Sequence, residues 1–193
     1  MAAVPTDASG RAPGARDGLL TRALLSGEVT FVLASALLVP VMSWAASATY
    51  PDGSAAMVGG ISLVVGIIYA LIGALIAVPV LTRLLARRLS HRAQGWSSGT
   101  NALAHAGIAA AVALPLPLFG WVMQTVQNGG MDLPSDLFVI GVFAAPAIVG
   151  AALAPTVDRW AARDAGRGSR LVILGVAALV LVLVAVVALT LAF

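Results

Sequence analysis

The chain has 193 residues, 60% of them hydrophobic and only 10% charged, with a net charge of +3, a pI near 10.6 and no cysteine. Soluble domains carry about 25% charged residues, so this composition excludes an ordinary water-covered globule. Disulfides, thiolate catalysis and cysteine-ligated metals are excluded too, and the dilution of the arginines by Asp7, Asp17, Asp158 and Asp164 argues against a nucleic-acid partner.

Residues 1–23 are rich in Ala, Gly, Pro and charge and read as a disordered cytoplasmic segment. Residues 24–193 read as a single transmembrane domain. A helix needs about 20 apolar residues to cross a hydrocarbon core of about 30 Å. Five segments meet that length, at 24–46, 57–81, 102–126, 137–157 and 171–193. Each must satisfy its own backbone hydrogen bonds in lipid, so each is expected to be a helix. The fold class is all-α: a polytopic membrane helix bundle with five transmembrane helices.

The first segment contains Glu28, Pro40 and Trp44. Its arginine-bearing approach and the Ala46-Ser47-Ala48 that follows also resemble a cleavable secretory signal, which would leave four spans. Its apolar run exceeds the usual 7–15 residues of a signal core, and Glu28 interrupts its start, so retention is the preferred reading.

The second segment spaces Gly59, Ser62, Gly66, Ala70, Gly73 and Ala77 at steps of three and four. That places small side chains on one helical stripe and lets another backbone come close. Tyr69 lies beside the stripe, and Pro79 should disturb the helix near its end. Beyond it, Arg83, Arg87 and His91 continue the helical spacing, as a helix lying along lipid headgroups would.

The third segment holds His105 near its start and Pro115-Leu116-Pro117 in the middle, which should bend or unwind it. The fourth contains Pro146. The fifth is nearly pure Val, Leu and Ala, a composition suited to lipid contact.

All 11 basic residues are arginines, and they gather before the first segment, after the second and after the fourth. Arginine is retained on the cytoplasmic side, so the expected topology is N-terminus inside and C-terminus outside, in the plasma membrane. The opposite connections, Tyr50-Pro51-Asp52-Gly53 and Asn128-Gly129-Gly130, are turn-like. Trp44, Tyr50 and Trp121 fit an outer aromatic belt, Trp96 and Trp160 an inner one. The arginines are expected to contact anionic headgroups. High Ala and Gly content with Arg and no Lys suggests a bacterial source of biased composition.

A weak internal repeat is visible. Pro40 and Trp44 recur as Pro117 and Trp121, and Gly53 as Gly130, at an offset of 77. Pro79, Arg83 and Arg87 recur as Pro155, Arg159 and Arg163 one position closer. The pattern reads as two parallel helical hairpins plus a fifth helix. The shared needs of every outward helix for interfacial Trp, and of every inward one for terminal Arg, explain the same matches without duplication.

The same offset sets Glu28 opposite His105, the two ionisable side chains within the predicted spans apart from tyrosine. An intramembrane charge costs about 2.5–3.5 kcal/mol on insertion scales, which makes the pair the candidate functional site. Facing each other, a carboxylate and an imidazole would suit a proton relay. The competing explanation is ordinary satisfaction near the inner interface. Glu28 precedes Trp44 by 16 residues, a rise of about 24 Å, so it sits close to that surface.

No zinc motif, phosphate loop, serine elbow or paired intramembrane carboxylate occurs, and no cofactor or metal is expected. The functional expectation is a non-enzymatic accessory or scaffolding subunit, working with a membrane-protein partner or as a small homo-oligomer. The alternative is a small proton- or ion-coupled transporter or channel using Glu28 and His105.

Overall fold

The computed structural model describes residues 13–47, 55–89, 95–128 and 133–192, and these are almost entirely helical, with no strand among them. Seven α-helices follow in chain order among the described residues: α1 (Pro13–Ser47), α2 (Ala55–Ile72), α3 (Val78–Leu89), α4 (Ser98–Ala113), α5 (Pro115–Asn128), α6 (Leu133–Ala162) and α7 (Ala165–Ala192). A π-helical turn, Gly73–Ala77, carries α2 into α3 without a break.

Leu20–Ala45 in α1 and Leu63–Arg83 across α2 and α3 are long and apolar enough to cross a membrane. Ser98–Ala113 and Pro117–Gln127, bent by 41°, make a third crossing if the pair acts as one. Two to three candidate spans therefore stand, against the five expected. α6 and α7 run through the positions of the fourth and fifth expected segments.

The start of α1 corrects one expectation. Residues 13–23 are helical, where a disordered segment was expected up to residue 23. Pro13 suits the first turn, where its missing N–H has no intrahelical partner to lose. Ala15, Arg16, Leu19 and Leu20 are good helix formers that carry α1 back to Pro13. Residues 1–12, Tyr50-Pro51-Asp52-Gly53, His91, Arg92, Gly129 and Gly130 lie outside the described residues.

α1 is the hub. It packs most extensively on α6 and also on α2, α3 and α7. Contacts give the directions. Gly27 faces Val78 and Thr82 while Phe31 meets Gly73, so α1 and the α2–α3 rod are antiparallel. Arg22 pairs with Asp158 and Phe31 adjoins Gly150, so α6 is antiparallel as well. Val29 meets Gly175, and the buried Val29 clusters with Leu171 while Ala178 packs behind Val32 and Phe31, so α7 runs parallel to α1. Arg22 thus shares one end of the bundle with the arginines that close α6 and open α7.

The packing relies on small residues where backbones meet. A Cβ at Gly150 would lie 2.8 Å from the Phe31 Cα and 3.0 Å from its N, so α1 and α6 touch backbone to backbone. A Cβ at Gly73 would run into the Phe31 ring. Phe31 is therefore a wedge between the π turn and α6, buried with Val32 and Ala74. In lipid, where hydrocarbon solvates leucine as well as protein does, such close van der Waals contact is the main attraction between helices.

α1 packs on α2 and α3, and α4 and α5 pack on α6. The extensive α1–α6 contact has no comparable counterpart between α4 or α5 and α2 or α3 among the described residues.

Candidate functional site

Glu28 lies half-buried on α1 within Leu20–Ala45. Its neighbours define its direction. Gly27 faces α3 and Val29 faces α7, each about 100° away around the helix, so Glu28 projects from the sector between them. Seven residues on, about two turns along nearly the same face, Ser35 is buried and its Oγ has no hydrogen-bond partner. Ser43, a further eight residues on and within about 60° of Glu28, is in the same condition. Thr30 differs, donating its hydroxyl to the Ser26 carbonyl at 2.8 Å and approaching the Gly27 carbonyl at 3.1 Å.

His105 lies half-buried on α4, whose first turn is capped by Ser97 accepting from the Thr100 N–H at 3.2 Å. Its Nδ1 stands 2.8 Å from the Asn101 carbonyl one turn back. A carbonyl only accepts, so Nδ1–H is the donor in this contact. No hydrogen bond or ion pair joins Glu28 to His105 among the described residues. Their helices, α1 and α4, each lie along α6, and α4 has no extended packing on α1.

The expected small-residue stripe is resolved in part. Gly66, Ala70 and Gly73 are buried, and the helix that approaches Gly73 is α1 of the same chain, through Phe31. Gly59 and Ser62 fall within α2, and Ala77 is exposed. The reason lies in the π turn. The inward face of this rod runs Gly66, Ala70, Ala74, Val78 and Thr82, in steps of four. An α-helix turns 3.6 residues per cycle, so four such steps would rotate the face by about 160°. The π turn absorbs about one residue, or 100°, and holds the line against α1. Its bond from the Val78 N–H to the Gly73 carbonyl spans five residues. Pro79 stands directly after it, with a ring that would crowd the carbonyl four residues back in a regular helix.

The Pro115-Leu116-Pro117 sequence does break its segment. α4 ends at Ala113, α5 starts at Pro115, and the axis turns by 41°. Backbone bonds Leu114 to Ala110 and Leu118 to Leu114 flank the break, while Pro115 and Pro117 have no N–H to offer the carbonyls of Ala111 and Ala113.

Two features escaped the sequence reading. The first is the ion pair from Arg22 Nε to Asp158 Oδ1, 2.7 Å long and about 30% exposed on both sides, which ties α1 to α6. Arg22 stands just before one expected span and Asp158 just after another, so their common depth was a readable signal. The second is the α1–α6 contact at Gly150. Ala147, Gly150, Ala151 and Ala154 give α6 its own small-residue spacing, no weaker than the stripe that was singled out.

Against known protein families, curated proteins and solved structures, the chain matches none.

Proposed function

We propose that the chain is a five-span protein of the plasma membrane, with its N-terminus cytoplasmic and its C-terminus extracytoplasmic, serving as a non-enzymatic accessory or scaffolding subunit or as a small homo-oligomer. One observation carries the partner role. α1 is deeply packed in its inner half, yet its outer half leaves Leu33, Leu37 and Val41 exposed, Leu37 at 71%. A hub helix with an open apolar stripe offers a second transmembrane helix a ready contact. The arginine distribution supports the orientation, and the antiparallel α1–α6 and parallel α1–α7 contacts agree with it.

Gentle extraction from native membranes followed by mass analysis tests this reading. A stoichiometric partner or a homo-oligomer, lost on Leu37→Arg with Val41→Arg, is the expected result. A stable monomer with no companion would refute it. Single cysteines at Gly95 and Arg163, labelled from either side of sealed vesicles, should both react from the cytoplasmic face.

A second reading, a small proton- or ion-coupled transporter or channel using Glu28 and His105, is favoured by Glu28 sharing a face of α1 with the unpartnered Ser35 and Ser43 hydroxyls. In proteoliposomes Glu28→Gln and His105→Ala should then abolish pH-dependent flux. Unchanged flux removes both residues from any pathway.

A further inference from the structure

We infer that the four arginines around the α6–α7 turn form a binding site for the headgroup of a net-anionic phospholipid. Arg159 in the last turn of α6 and Arg163 just past its end lie four residues apart, and Arg167 and Arg170 lie three apart at the start of α7. Only Arg163 and Asp164 connect the two helices. At 1.5 Å per residue, all four backbone positions fall within about 8 Å of the turn along the helix axes. The polar layer on one side of a bilayer has about this thickness, since the whole is about 40–45 Å and the hydrocarbon about 30 Å. Buried apolar packing starts directly behind, with Ala161 and Leu171 closed against Val29. The arginines occupy the depth of a headgroup layer.

The nearby carboxylates neutralise them only in part, leaving a net positive charge of four arginines against Asp164. Asp158 is held by Arg22, and the Asp164 carboxylate accepts the Gly166 N–H at 3.0 Å, closing the first turn of α7. Arg159 gives its Nε–H to the Pro155 carbonyl at 3.1 Å and is exposed. Arg167 lies 5.7 Å over the Trp160 ring, an arrangement that steadies a planar guanidinium in place. Arg163 and Arg170 are exposed, and no ion pair among the described residues takes either.

This donor set fits a phosphodiester. Guanidinium matches two phosphate oxygens at once, with charge on both sides of each bond. A zwitterionic headgroup brings its own ammonium, which these cations repel, so the fit is to a glycerophospholipid whose headgroup adds no positive charge. The inference rests on the membrane-spanning reading above.

The test uses the full chain in detergent, titrated with phosphatidylglycerol or phosphatidylcholine and weighed intact by mass spectrometry. Phosphatidylglycerol should be retained in preference. Arg163→Ala and Arg170→Ala should each weaken it about fivefold, and together about 30-fold, which is about 2 kcal/mol at 1.4 kcal/mol per tenfold. Arg83→Ala, on α3, should leave it unchanged. Equal loss from Arg83→Ala, equal retention of both lipids, or displacement by millimolar inorganic phosphate would overturn the site. Release of the protein from native membranes by alkaline carbonate would instead remove the membrane-spanning reading itself.

Discussion

Replacing Gly150 by alanine gives the sharpest test of how α1 and α6 meet. The new Cβ would stand 2.8 Å from Phe31 Cα, 3.0 Å from its N and 3.3 Å from the Thr30 carbonyl carbon. All three are backbone atoms, so no side chain can swing aside. Ordinary contact begins at 3.4 Å, and the helices must separate by roughly 0.6 Å, loosening van der Waals contacts along the whole interface. Overpacking of this kind costs about 1–3 kcal/mol. Against it stands the general gain from replacing a helical glycine by alanine, about 0.8–1.0 kcal/mol.

Gly107 supplies the reference, because a Cβ there meets nothing within 4 Å. Gly107→Ala carries the propensity gain alone, whereas Gly150→Ala carries the gain and the clash. The difference between the two variants should therefore be about 2 kcal/mol, or roughly 30-fold in the folding equilibrium. Reversible unfolding in mixed micelles, followed by far-ultraviolet circular dichroism, measures both. If Gly150→Ala is as stable as Gly107→Ala, α1 and α6 do not touch backbone to backbone and the hub arrangement is wrong.

Two further outcomes are expected. A double-mutant cycle on Arg22→Ala and Asp158→Ala should give a coupling of about 0.2–1 kcal/mol that shrinks in high salt, since the pair is part-exposed and screened; zero coupling at low salt would separate these ends of α1 and α6. Pro115→Ala with Pro117→Ala restores two backbone donors and should reduce the 41° bend. Spin labels on single cysteines introduced at Gly107 and Gly120 would report this as a lengthened distance, and an unchanged distance would mean that neighbouring helices impose the bend.

How far the sequence revealed this structure depended on whether a signal was local. The Pro115-Leu116-Pro117 break is local, because an absent N–H and a bulky ring act within one turn, and it appears where expected. The stripe from Gly66 to Gly73 is likewise local and is buried. Ala77 fell off the stripe because three-and-four spacing assumes a regular α-helix, and the π turn changes the register. Glu28 and His105 show the other limit. Their equal offset measured likeness of position along two helices, and says nothing about which helices become neighbours. That choice fell to α6, whose Gly150 admits α1 at backbone distance. The Arg22–Asp158 pair was hidden for the same reason, although the depth of both residues was legible.

The central place of α1 also sets a clock on biogenesis. Arg22 and its partner Asp158 are 136 residues apart in the chain. At about 5–20 residues per second, the ribosome needs roughly 7–27 s to deliver the second after the first. Through that interval α1 has neither α6 nor α7 beside it, and Val29 and Phe31 lack the Leu171, Gly175 and Gly150 contacts that finally enclose them. The packing around α1 is therefore completed only when the last two helices of the bundle arrive.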